Sequence, residues 1–68
     1  MSRILYQVGP FTVRPEAFKL SKGFAVYRDG PVVALRVATI GYAGPEGLKR
    51  AIAEADRRAV DEGYTLGT

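Results

Sequence analysis

The 68-residue chain has no cysteine, no histidine and no tryptophan, and only one methionine. Without cysteine there is no disulfide framework, and without cysteine and histidine there is no zinc site of the Cys/His kind. Neither staple that commonly holds short chains together is available, so the core must come from apolar packing, with oligomerisation as the other resort. A chain of this length buries only about 60% of the surface its unfolded form exposes, which leaves a narrow stability margin. The same absences remove most nucleophile and general-base arrangements. The remaining carboxylates Glu54, Asp56, Asp61 and Glu62 are interleaved with Arg50, Arg57 and Arg58, the pattern of a solvated helix face or a docking surface. The expectation is a protein that is not an enzyme and uses no cofactor or metal.

Long apolar runs are missing too. None approaches the ~20 residues that span a bilayer, and the opening MSRILYQVG holds a hydrophobic segment too short for a signal peptide. A soluble cytoplasmic protein with no membrane partner is expected.

What is present reads as a folded domain, 47% hydrophobic and 25% charged. The net charge is +3, and its distribution says more than its total. Residues 1–45 carry six basic side chains (Arg3, Arg14, Lys19, Lys22, Arg28, Arg36) against Glu16 and Asp29, a balance of +4. Residues 46–68 carry four basic side chains against five acidic ones, a balance of −1. Positive charge concentrated in one part of a chain points to an anionic partner.

Ile4, Tyr6 and Val8 alternate with Arg3, Leu5 and Gln7, which suggests a strand over about 3–8. After Gly9-Pro10, residues 11–20 read in part as a second strand, with Phe11 and Val13 on one side and Thr12 and Arg14 on the other. Pro15 cannot donate to a ladder and implies a bend or an edge position. Residues 15–23 stay open between strand and ordered loop. The strongest pattern is a hairpin, 24–28 and 32–40, around Arg28-Asp29-Gly30-Pro31. Asp-Gly favours a two-residue turn, but Pro31 restrains Gly30 toward extended conformations, so a wider loop and an open register are expected.

Gly44-Pro45-Glu46 reads as a helix start, since proline is favoured in the first turn and an acid complements the dipole there. The helix should run over about 45–62, with Leu48, Ala51, Ile52, Ala55 and Ala59 as its buried stripe. Glu46–Arg50 and Glu54–Arg58 have favourable i,i+4 spacing. Gly63 suits the position after the last turn, and Tyr64 and Leu66 could fold back. Although GYAGPEG has three glycines, it lacks the Lys-Ser/Thr ending of a phosphate loop, and Glu46 would repel an anion. The fold expected is α+β (β-β-β-α): residues 1–68 as a single domain, an antiparallel sheet of three or four strands with one C-terminal helix on one face.

One helix covers only one face of a sheet. Phe24, Val26, Val33, Leu35 and Val37 are the natural inward set. Thr12, Arg14, Lys19, Ala25, Tyr27, Ala34, Arg36 and Ala38 fall opposite, and Lys22 and Arg28 sit at the rim. Arginine pairs with phosphate or with guanine in the major groove, which a two-stranded ribbon can enter, and Tyr27 is placed to stack on an unpaired base or touch a sugar. The plainer alternative is that antiparallel sheets usually have one solvated face, where arginine and tyrosine are ordinary.

Three strands followed by ATIGYAGPEGLKRAIAEADRRA resemble two DNA-binding families, the arm-binding domains of tyrosine recombinases and the domain of plant ethylene-response factors. Ile40, Gly41, Tyr42 and the stretch from Leu48 to Ala59 match their last strand, Gly-aromatic turn and alanine-rich helix. The resemblance spans about residues 23–60 and implies a sheet inserted in the major groove, with Tyr27, Arg28 and Arg36 as contacts. Those sheets commonly use a tryptophan, which this chain lacks. The leading expectation is thus a nucleic-acid-binding module, for duplex DNA, using Arg14, Lys19, Lys22, Tyr27, Arg28 and Arg36. The competing one is a compact regulator of phage or plasmid type, an inhibitor or adaptor that docks an acidic protein surface or forms a homodimer.

Overall fold

Side-chain alternation builds the sheet. A computed structural model describes residues 3–65. Four strands pair antiparallel in chain order: β1 (Tyr6–Val8), β2 (Phe11–Ala17), β3 (Lys22–Asp29) and β4 (Ala34–Ile40). The helix α1 (Gly44–Asp61) follows and packs on one face. This is the α+β arrangement expected, with four strands. The uncertain stretch 15–23 divides into the end of β2, a turn and the start of β3. No helix among the described residues is long and apolar enough to cross a membrane.

Pro15 lies within β2 without breaking it. Leu5 N–H donates to the Val13 carbonyl, so the backbone polar groups of Val13 point toward β1. Two residues on, Pro15 turns its nitrogen to the same side, beyond the reach of β1, which pairs only with Phe11–Val13. A missing donor costs nothing where no acceptor stands opposite. Pro15 remains paired with Phe24 on the other side.

The β3–β4 hairpin corrects part of the sequence reading. Its loop is wide, as Pro31 implied, and Gly30 N–H bonds to the Val33 carbonyl at 3.1 Å. Val26 pairs with Ala38 but Tyr27 pairs with Arg36, so Val37 is an extra residue on β4. Such a bulge shifts the alternation by one. Arg36 therefore stays opposite the helix as expected, while Ala38 and Ile40 turn inward rather than Ala38 turning out. Val33 and Leu35, expected in the core, are 59% and 62% exposed. Leu35 does share the helix side with its partner Arg28. The C-terminal end of α1 lies toward β1, where Asp56 meets Tyr6, and leaves this corner of β4 uncovered.

The core joins Val8, Phe11, Val13 and Val26 of the sheet to Ala51, Ala55 and Ala59 of α1, with Tyr6, Phe24, Val37, Ala38, Ile40 and Leu48 around them. Fully burying a side chain such as Phe11 or Val26 stabilises by about 1.5–3 kcal/mol, so these few residues dominate the stability. The alanines let the helix lie close. Gly47 lets it start close as well, because a Cβ there would collide with the Tyr42 carbonyl and come within 3.0 Å of the Phe24 ring.

The far end of α1 closes on Gly63, whose φ of 93° is open to glycine and strained for most residues. Gly63 N–H bonds to the Val60 carbonyl and Tyr64 N–H to the Ala59 carbonyl, both at 2.9 Å, the paired bonds of a Schellman cap. Tyr64 then folds its ring against Gly9. Leu66, expected to fold back with it, lies outside the described residues.

Candidate nucleic-acid interface

The face opposite α1 is assembled by register. Gln7, Thr12, Tyr27 and Arg36 form one row across all four strands, and Arg14, Ala25 and Thr39 form the next. Glu16 follows, opposite Gly23.

Tyr27 does not stand out from this surface. Its hydroxyl donates to Glu16 Oε1 at 2.9 Å, four pairs further along the ladder and two rows on along the same face. To reach that carboxylate the ring must run across Ala25, which explains why Ala25 is 0% exposed on a face with no helix. The Arg14 guanidinium lies over the ring, 4.6 Å from its centre. Arg14 Nε also donates a long hydrogen bond, 3.3 Å, to the buried Thr12 hydroxyl. Burial first, and then the hydrogen bond to Glu16, push the Tyr27 phenol above its ordinary pKa, with Arg36 and Arg14 pulling the other way. Arg36 approaches Glu16 from β4, Nη1 to Oε2 at 3.7 Å, a charge contact too long for a hydrogen bond. Its side chain is 50% exposed.

Of the six residues singled out by sequence, Arg14, Tyr27 and Arg36 therefore come together on the open face. Lys19 is exposed in the turn between β2 and β3, at one end of the sheet. Lys22 and Arg28 belong to the alternation of Phe24 and Val26 and lie on the helix side. Lys22 lines a pocket of about 400 Å³ with Pro15, Ala17, Phe24, Ala43 and Gly44. Arg28 sits 5.7 Å from the centre of the Phe11 ring and binds Glu62 at the end of α1 through Nε and Nη2, at 3.0 and 2.7 Å. It is a strut between sheet and helix, not part of the open face.

Sequence reading missed Glu16. Its signal was present, since Thr12, Arg14 and Glu16 alternate on one side, but Pro15 between them read as an interruption.

The arginines of the helix side are held differently. Arg50 pairs with Glu46 at 2.9 Å and stacks over Tyr42 at 4.2 Å. Arg57 binds Glu54 at 2.6 Å and Asp61 at 3.0 Å, and Arg58 binds Glu54 at 2.6 Å. The hydrogen bond from Arg57, helped by Arg58, holds the Glu54 carboxyl below its usual range, and Arg28 does the same for Glu62. Among the described residues, Arg3, Arg14, Lys19, Lys22 and Lys49 have no carboxylate partner. No protein-family model matches this chain, and neither a curated protein nor a solved structure is significantly similar to it.

Proposed function

We propose that this chain is a small nucleic-acid-binding module that lays the open face of its sheet on duplex DNA. The observation that carries the reading is the Arg14–Tyr27–Arg36 constellation, aligned on three neighbouring strands on the side α1 leaves bare. The resemblance to recombinase arm-binding domains and ethylene-response factors supports the same docking mode, a sheet in the major groove with its helix behind.

The packing of Tyr27 favours a duplex over a single strand. Arg14 covers one face of its ring and Glu16 holds its hydroxyl, so the ring lies along the sheet rather than projecting to stack on a base. The outermost chemistry is guanidinium, which suits phosphate oxygens and the O6/N7 edge of guanine. Duplex, single-stranded and RNA probes titrated over a range of salt concentrations test this. The duplex should bind tightest, with affinity falling steeply as salt rises. Arg14→Ala and Arg36→Ala should each flatten the log–log salt slope by about 0.9. Affinity unchanged in both variants would overturn the assignment.

A second reading rests on the exposed apolar corner of the hairpin, where Val32 is 89% exposed beside Val33 and Leu35. Such a corner suits a protein partner or a second copy of the chain. Sedimentation equilibrium showing a dimer that Leu35→Lys dissociates would favour it.

A further inference from the structure

We infer that Glu16 is a built-in competitor for the anion site, holding in the free protein the place that a backbone phosphate takes in the complex. The inference rests on the nucleic-acid reading above. Glu16 is placed as a phosphate would be. Its Oε1 accepts the Tyr27 hydroxyl at 2.9 Å, and its Oε2 lies 3.7 Å from Arg36 Nη1. Arg14 stands two residues away on the same strand and the same face. Among the described residues it is the carboxylate that pairs with a cation of this face; the other ion pairs join cations of the helix side.

The geometry suits a displaceable occupant. A structural ion pair would be short and bidentate, as Arg28–Glu62 is, whereas the Arg36–Glu16 contact is long and made by a half-exposed arginine. Its firm attachment is the Tyr27 hydroxyl, a neutral donor that a phosphate oxygen satisfies equally well. On binding, phosphate takes over Arg36 and that hydroxyl, and the carboxylate turns to solvent. A polyanion that adds contacts along the face can drive this exchange, while a single small anion gains too little. Glu16 thereby sets both the affinity and the threshold of the face.

The test compares the wild-type chain with Glu16→Gln and Glu46→Gln on a 20-base-pair duplex at several salt concentrations. Glutamine keeps an acceptor for the Tyr27 hydroxyl and removes the charge. Glu46→Gln makes the same charge change on the helix side. Glu16→Gln should bind about 2- to 5-fold tighter at moderate salt, the scale of one exposed ion pair, and steepen the salt slope by up to about 0.9. Glu46→Gln should stay within about twofold. In an Arg36→Ala background the gain from Glu16→Gln should shrink, the non-additivity of a shared contact. A Glu16→Gln chain that melts like wild type yet binds no tighter than Glu46→Gln overturns the inference and leaves the face reading standing. If neither wild type nor Glu16→Gln binds any nucleic acid at low salt, the face reading itself is overturned, and this inference with it.

Discussion

The two sides of the sheet hold their arginines in opposite ways. On the helix side Arg28, Arg50, Arg57 and Arg58 each meet a carboxylate within hydrogen-bonding distance, and the contacts tie neighbouring elements or helix turns together. On the open side Arg14 rests on an aromatic ring and Arg36 touches one carboxylate at long range. A cation already satisfied by a short ion pair has little left to offer a ligand. A cation stacked on a ring keeps its outward hydrogen-bond donors available. The difference separates residues that stabilise the fold from residues that present charge, although both sets are arginines on a small domain.

This contrast can be broken most severely from within the core. Phe11→Ala removes a ring that is 1% exposed and should destabilise the chain by about 3–5 kcal/mol, enough to unfold most of it, as circular dichroism would register. Gly47→Ala should come next. Alanine ordinarily favours a helix over glycine by about 1 kcal/mol, but the clash with Tyr42 and Phe24 should reverse the sign and cost about 1–3 kcal/mol in denaturant melts. Tyr27→Phe keeps the ring over Ala25 and loses the hydrogen bond to Glu16, a change of about 0.5–1.5 kcal/mol. Arg28→Ala should lower the melting temperature slightly and leave the salt slope of DNA binding unchanged, in contrast to Arg36→Ala. If Arg28→Ala flattened the slope as much as Arg36→Ala does, the division into two sides would fail.

A pH titration sharpens the same comparison. Tyr6, through its hydrogen bond to Asp56 and then burial, and Tyr27, through burial and then Glu16, both have phenol pKa values raised in the folded state. Raised acids hold their protons more tightly when folded. The stability they contribute is complete below about pH 10, the unfolded value, and is lost as pH climbs through the native ones. Tyrosinate absorbance should show a late-ionising fraction that Tyr27→Phe reduces. On the acid side the signs invert. Glu54 and Glu62 are lowered, so what they contribute is present above the ordinary carboxylate range and is lost as pH falls through their native values.

Much of this architecture was legible in residue order. The helix start at Gly44-Pro45, the alanine stripe and the Gly63 stop follow from local chemistry, and the helix expected over 45–62 is Gly44–Asp61. Strand alternation located Arg14, Tyr27 and Arg36 correctly. It failed on β4 because a bulge is a property of two strands together, and nothing within Ala34–Ile40 announces which residue will be unpaired. Arg28 is a different case. Phe24, Val26 and Arg28 alternate plainly, but its charge argued against the apolar side, and the partner that makes that side acceptable, Glu62, is 34 residues away. Glu16 was hidden by a proline that proved harmless only because β1 is short.

That shortness has a consequence for how the molecule meets its own kind. A four-stranded sheet has two rims, and each is an invitation for a neighbour's strand to join the ladder. On one rim, the part of β2 that β1 leaves uncovered carries Pro15, which offers an incoming strand one donor fewer. On the other, the extra residue at Val37 kinks β4 and spoils the even spacing that a docking strand needs. Both rims thus carry a feature that hinders a neighbour's strand from extending the ladder.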